Sequence, residues 1–387
     1  MRSQPIPKKI KESNPELGIK TFNTLLVDGS NILELSSLGD RTLSSSGKRI
    51  GGIFQFLLQL KIMLKKANFR YVYVFWDGDN SGEYRSWLCQ DYKSNRDKNY
   101  SSPDGLSDYM IEFNRNLKRM QNYIYNKRRR EKTEEEKKEK EIFYEQREVV
   151  MNCLEELFVR QCVCDKVEAD DLIAYYVKNK KPNERIVIMS NDRDLTQLID
   201  EDVIIYLQQK KIFINTKNHT DEIGYNYKNV LIKKMLCGDS SDSIKGIKGF
   251  GEVTLLKNFP EIKEREITLD EVIEKARRIN EDRAANRKKP LKWAYNIVEG
   301  ITDGSQGNKV YEINRIIIDL RNPIMTDEAK ELMDSMMYSP IDPEGRSFDN
   351  LYKILCDEGI EELTDPSKFS NFFIEYAYLI ENEKKNC

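Results

Sequence analysis

Residues 186–194 read IVIMSNDRD: four apolar side chains without a polar break, then a turn that carries two acids. A run so short and continuous fits a strand buried on both faces, the kind found inside a parallel sheet. Two earlier stretches repeat the design, TLLVDG at 24–29 and YVYVFWDG at 71–78. Helical patterns lie between them, over Ile53–Lys65, Glu148–Val159 and Asp171–Val177. This alternation predicts an α/β protein with a parallel sheet and crossover helices.

In a parallel sheet the strands all end on one edge, in the crevice where open α/β sheets take their ligands. Asp28, Asp77, Asp192 and Asp194 therefore converge. A lone Asp-Gly after a strand is ordinarily a turn, but three such coincidences on one edge are not. Glu168, Asp170 and Asp171, in VEADDL, open the helix before the third strand. One acid there would serve the helix dipole; this segment has three. Asp239 and Asp242 stand three apart in GDSSDS, a spacing that lets both face one ion, although a plain Asx turn reads the same way.

Crowded carboxylates repel one another unless cations neutralise them. All-oxygen ligation selects Mg²⁺, with Mn²⁺ as a substitute, over zinc. So many acids imply two or more ions, the arrangement that hydrolyses phosphodiesters by in-line attack. Ser-His-Asp chemistry and His-rich zinc sites would both rest on one residue, His219. The seven cysteines contain no CxxC pair, and Cys162 and Cys164, one residue apart, are expected to be reduced structural thiols. A net charge of −2 with 33% charged residues does not exclude nucleic acid, because metal-binding acids cancel a basic groove in the total. The chain has no apolar run of about 18 residues and its first residues lack a secretory core, so a soluble, cytoplasmic protein without membrane contact is expected.

Basic and glycine-rich segments accompany the acids. In RSWLCQDYKSNR (85–96), helical spacing places Arg85, Tyr92, Lys93 and Arg96 on or near one face, where cations clamp a phosphate and an aromatic stacks a base. An ordinary charged helix surface is the competing reading. In KGIKGFG (245–251), Gly246, Gly249 and Gly251 let backbone amides approach a phosphate at the start of the next helix, with Lys245 and Lys248 alongside. Residues 96–145 are polar, Tyr-rich and highly charged, and by themselves read as a solvated helix or linker. They include the basic patch Lys127, Arg128, Arg129 and Arg130.

Taken in order, DGSN, WDG, RSWLCQDYKSNR, VEADD, SNDRDL and GDSSDSIKGIKGFG resemble the flap endonuclease and 5′-3′ exonuclease family. The likeness is greatest to phage and bacterial members, including phage enzymes called ribonuclease H, and covers residues 24 to about 260. It implies a PIN-like sheet, a helical arch inserted at 96–145 and a helix-three-turn-helix (helix-hairpin-helix) motif. The expected organisation is a tail at 1–20, a nuclease domain at 21–224 and a mainly helical region at 225–387. Carried over residue by residue, the resemblance implies that Asp28, Asp77, Glu168, Asp170 and Asp192 would hold a first metal, directly or through water, and that Asp171, Asp194, Asp239 and Asp242 would hold or orient a second. Lys93 would contact the scissile phosphate, Arg85 and Arg96 would steer the 5′ strand, and the three glycines would bind the duplex backbone. Lys127–Arg130 becomes a basic patch of the arch, itself longer than in many bacterial relatives.

The implied activity is Mg²⁺-dependent removal of 5′ ends, 5′ flaps and RNA primers during replication, on flapped or nicked DNA and RNA–DNA primer duplexes. No polymerase segment follows, so a stand-alone monomer is expected, with a single-strand-binding protein or replication clamp left open as a partner. Two other readings compete. A PIN-type single-strand endoribonuclease has no use for a duplex grip at 244–251, and a non-catalytic helix-hairpin-helix protein would need its acids only as caps and turns.

Overall fold

The computed structural model describes residues 16–94 and 134–386. The expectations for Arg96 and Lys127–Arg130, and most of the segment expected to form the arch, lie outside them.

The chain runs β1 (Thr24–Asp28), α1 (Gly29–Gly39), α2 (Gly51–Leu64), β2 (Tyr71–Trp76), α3 (Glu83–Leu88), α4 (Glu134–Glu156), β3 (Arg160–Val163), α5 (Ala169–Lys178) and β4 (Ile186–Met189). It continues through β5 (Val203–Leu207), β6 (Ile212–Ile214), α6 (Val230–Cys237), β7 (Gly238–Asp239), β8 (Ile244–Lys245) and α7 (Glu252–Asn258). Longer helices follow: α8 (Leu269–Ala285), α9 (Lys292–Glu299), α10 (Val310–Ile318), α11 (Asp327–Met336), α12 (Phe348–Asp357) and α13 (Pro366–Asn386).

The main sheet has the order β3-β2-β1-β4-β5-β6, parallel throughout except for the last pair. From β1 the chain steps outward to β2 and β3, then returns to lay β4 on the other side of β1. The point where strand order reverses therefore lies between β1 and β4, and a crevice opens beyond their carboxyl ends. The α/β reading holds. Of the six strands of the main sheet the sequence pattern missed three, β3, β5 and β6, and it ran the helix before β3 to Val159, whereas α4 stops at Glu156. β3 is an edge strand: its RQCV alternates between buried and partly exposed positions, so it lacks the continuous apolar run of the central strands.

Period-two alternation sorts the strand side chains onto two faces. Leu25, Val27, Val72, Val74, Trp76, Val187 and Met189 join one core, with α1, α2 and α4 over it. Leu26, Tyr73, Phe75, Ile186 and Ile188 join the other, covered by α5 and α11. The far C-terminal helices complete the first face: Leu351, Leu355, Phe373 and Tyr376 belong to its core, and the Tyr376 hydroxyl donates to the Leu57 carbonyl at 2.7 Å. The guanidinium of Arg160, on β3, is gripped by both oxygens of Glu383 on α13, at 2.8 and 2.9 Å, and this pair is buried. α6 to α9 enclose a smaller core of their own around Phe250, Leu255, Phe259 and Ile297.

Two glycines are fixed by close approach. At Gly78 a Cβ would lie 1.6 Å from the Cys164 carbonyl oxygen, so only glycine lets the turn after β2 rest on the end of β3. Gly238 has φ +75° and its Cβ would meet the Gly246 nitrogen at 2.5 Å, which permits the tight β7–β8 ribbon. Among the described residues, no helix is long and apolar enough to cross a membrane.

Candidate active site

Asp28 closes β1 and caps α1. One carboxylate oxygen accepts the Asn31 N–H at 3.0 Å and the other accepts the Ser190 hydroxyl at 2.8 Å. The same Ser190 oxygen accepts the Asp192 N–H at 3.0 Å, so one serine ties two strand ends together where the strand order reverses. Across β2, the Asp77 N–H donates to Ser30 Oγ at 2.9 Å, and Asp77 Oδ1 accepts the Ala169 N–H at 2.9 Å. The start of α5 is thereby stitched to the end of β2, which sets Glu168 and Asp170 into the crevice.

The electrostatics define which acids share space. Burial, then Asp77 and Asp192, raises the Asp28 carboxyl to about 7. Burial, then Asp192, Asp28, Asp77 and Glu168, pushes Asp170 well above the usual carboxylate range. Asp28, Asp77, Glu168, Asp170 and Asp192 thus form one mutually repelling group, and a cation among them relieves that repulsion. Beside it, Asp194, Asp239 and Asp242 each offer a carboxylate oxygen within 4.8 Å of the others. Burial and then Asp192 raise Asp194 to about 7 against the pull of Lys234. Asp192 therefore faces both groups. The donors are all oxygens, the set that suits a hard divalent cation.

Sequence reasoning missed Lys234. Its ammonium donates to Asp194 and, at 2.5 Å, to Asp239 Oδ2. Burial works to raise Asp239, but Lys234 and Ser241 more than offset it and hold that carboxyl at about 2. A signal was present: Lys234 follows Val230 by four and Leu231 by three, on the buried stripe of α6, where an apolar residue is expected.

Lys93 sits beside the first group of acids, with Nζ donating to Glu168 Oε1 at 2.6 Å. Burial would lower its pKa, but Glu168, then Asp242 and Asp77, hold it well above the ordinary lysine value, so the ammonium faces both acid groups. Its backbone adopts φ +47°, uncommon outside glycine, and its N–H donates to the Asp242 carbonyl at 2.6 Å.

Three assignments need correction. α3 ends at Leu88, so 85–96 is not one helical face and Arg85 turns inward instead of toward a 5′ strand. It is buried, donates to Asp171 at 2.5 and 2.9 Å, and lies 3.1 Å from Glu168. Asp171 is fully enclosed and holds Arg85 and the Ile324 N–H with its two oxygens, which makes it a brace for α5 and not an acid open to a metal. Tyr92 is buried too, and donates to Glu168 Oε2 at 2.9 Å, so its ring is not open to stack a base. Arg85, Tyr92 and Lys93 together fix the Glu168 carboxylate.

Beyond Asp242 the chain forms β8 and the glycine-rich turn. Lys245, Lys248, Gly249 and Gly251 are exposed, and Lys248 pairs with Asp303 at 2.5 Å. Gly249 has φ +71°, and Gly251 sits at the cap of α7. Gly246 instead serves packing: a Cβ there would meet the Cys237 backbone at 2.4 Å. His219 is buried away from these groups, with Nδ1 at 2.7 Å from the Tyr225 carbonyl.

The model of the family described as 5′-3′ exonuclease, N-terminal resolvase-like domain, matches residues 23–224. The 5′-3′ exonuclease of Mycoplasmopsis pulmonis is 27% identical over 246 residues, covering 62% of this chain and 68% of that protein. The 5′-3′ exonuclease of Bacillus subtilis is 26% identical over 325 residues, covering 81% and 91%. Among solved structures, the bacteriophage T5 5′-exonuclease with bound zinc superposes with a TM-score of 0.52 at 17% identity, covering 87% of this chain and 98% of that one. The T5 flap endonuclease in complex with DNA and metal ions gives 0.53 at 18%, covering 87% and 97%. The structural likeness establishes a shared fold, and with a family match over more than half of its length, this chain belongs to the 5′-3′ exonuclease family.

Proposed function

We propose that the chain is a structure-specific 5′ nuclease, a 5′-3′ exonuclease and flap endonuclease that hydrolyses phosphodiesters with two divalent ions, Mg²⁺ in the cell and Mn²⁺ as a substitute. The observation that carries this reading is the pair of carboxylate groups sharing Asp192 where the strand order reverses, with Lys93 facing both. Asp28, Asp77, Glu168, Asp170 and Asp192 would hold one ion, and Asp194, Asp239 and Asp242 the other, directly or through water. The chemistry these residues would gain from bound divalent ions is an activated water as nucleophile and neutralisation of the leaving oxygen.

The remaining roles belong to the chain. Lys93 supplies a fixed positive charge at the edge where a phosphate must enter, and its charge-assisted hydrogen bonds stabilise the charge that develops on the scissile group. Arg85 and Tyr92 hold Glu168 so that this carboxylate does not swing when substrate arrives. Lys234 balances Asp194 and Asp239. Lys245, Lys248, Gly249 and Gly251 present amides and cations to a duplex backbone, which suits DNA with 5′ flaps or nicks and RNA–DNA primer duplexes.

A 5′-flap duplex and a matched RNA-primed duplex, each labelled at both ends, test the reading in Mg²⁺ and in EDTA. Metal-dependent release of short 5′ products near the junction is expected. Intact substrate that stays bound would point to a non-catalytic DNA-binding protein, and cutting of unstructured RNA without regard to a duplex would point to an endoribonuclease.

A further inference from the structure

We propose that Tyr144, flanked by Lys140 and Arg147, is a stacking platform for the nucleobase of the single-stranded 5′ strand nearest the junction. The inference rests on the nuclease reading and adds a binding subsite to it. Tyr144 lies on α4 and is 42% exposed, while its neighbour Phe143 packs on the core beneath. Lys140 Nζ lies 5.4 Å from the centre of the Tyr144 ring, and the Arg147 guanidinium lies 6.0 Å from that ring and 5.6 Å from Trp76. Cations and rings thus alternate in a column that leads from the open surface to Trp76, the residue just before Asp77. The phenol is close enough to the carboxylate edge to feel Asp79 and Asp77: burial raises its pKa, and these two acids add to the effect against Arg147. The ring therefore stays neutral while it borders the site.

The ligand follows from what surrounds the ring. An open depression beside Tyr144 is lined by Asp79, Arg147, Glu148 and Met151. Its two carboxylates repel a phosphate but tolerate a base, whose π face suits Tyr144 and the Met151 side chain. Phosphates on either side of that base then meet Lys140 and Arg147. Arg85 and Arg160 are committed to buried carboxylates, whereas Arg147 forms no ion pair among the described residues. Its charge remains available to a nucleic-acid backbone. Stacking on an aromatic ring accepts any base, which is what a nuclease guided by structure rather than sequence requires.

The test uses a 5′-flap duplex with 2-aminopurine at the flap nucleotide next to the junction, bound by the full chain in Ca²⁺ and cleaved in Mg²⁺. Wild type and Tyr144→Phe should quench the fluorophore equally. Tyr144→Leu should leave it bright and raise KM roughly tenfold, with a smaller effect on kcat. Arg147→Met should raise KM and flatten its salt dependence. Thermal melting of each variant at the wild-type temperature establishes that the fold is intact, as expected for an exposed ring. Equal quenching and KM in wild type and Tyr144→Leu would overturn the platform while leaving the nuclease reading in place, as would loss of quenching in Tyr144→Phe. Failure of the wild type to cut the flap in Mg²⁺ would instead remove the reading on which the inference rests.

Discussion

At the scale of single residues, the site is a balance between buried acids and the cations that make them tolerable. Asp28 and Asp194 both have carboxyls raised from an ordinary 3.8 to about 7, by burial first and neighbouring acids second. A raised pKa means that the folded state holds protons that the unfolded chain has already released. Between about 4 and 7 these two groups therefore make the metal-free protein less stable as pH rises, with a slope of ~1.4 kcal/mol per pH unit for each proton. Denaturation in EDTA should show this decline, and the stabilisation gained on adding Mg²⁺ should grow across the same window; a Mg²⁺ effect as large at pH 5 as at pH 8 would contradict the assignment. Lys234 supports the same balance from within. Replacing it by Met leaves Asp194 and Asp239 without their shared cation, a change on the order of 3–5 kcal/mol for a buried pair. In EDTA the K234M variant should melt below wild type, and by more at pH 8 than at pH 6.

At the scale of elements, the strand ends matter because they carry the acids. Gly78→Ala would force a methyl group onto the Cys164 carbonyl and part the ends of β2 and β3, which carry Asp77 and lead to Glu168. Cleavage should fall by more than the loss of stability explains, read by comparing residual activity with melting temperature. Glu383→Ala removes the partner of buried Arg160 and should cost about 3–5 kcal/mol in denaturant unfolding. It lies far from the acids in the chain, and its kcat should track the folded fraction alone. The apolar runs of β1, β2 and β4 were legible in sequence because a strand covered on both faces has no polar positions to blur the pattern. The edge strand β3 was not, since one of its faces is partly open at Gln161 and the other buries a charge, Arg160, whose partner Glu383 lies far along the chain. Arg85 and Tyr92 were misread for a related reason: helical spacing was extended past Leu88, where the chain turns, and these side chains point at Glu168 instead of at a groove. Lys234 was overlooked because a charge on a buried stripe makes sense only once Asp194 and Asp239, distant in sequence or across a turn, are seen beside it.

At the scale of the whole molecule, a sheet whose strand order reverses at β1 and β4 gathers acids from five segments onto one edge, and the C-terminal helices complete the core on one side of it through Leu351, Phe373 and Tyr376. The acids repel phosphate unless cations intervene, so a fold that concentrates them and also offers a basic, glycine-rich turn is organised for metal-dependent work on a nucleic-acid backbone. The motifs and their order made this legible in the sequence; which acids face each other, and which are braces, emerged only from the packing. The most direct measurement pairs cleavage with binding for Asp77→Asn and Asp192→Asn on a 5′-flap duplex. With Mg²⁺ both variants should lose cleavage, and with Ca²⁺ both should bind the duplex within a few-fold of wild type. Normal cutting by both would contradict the two-group metal centre.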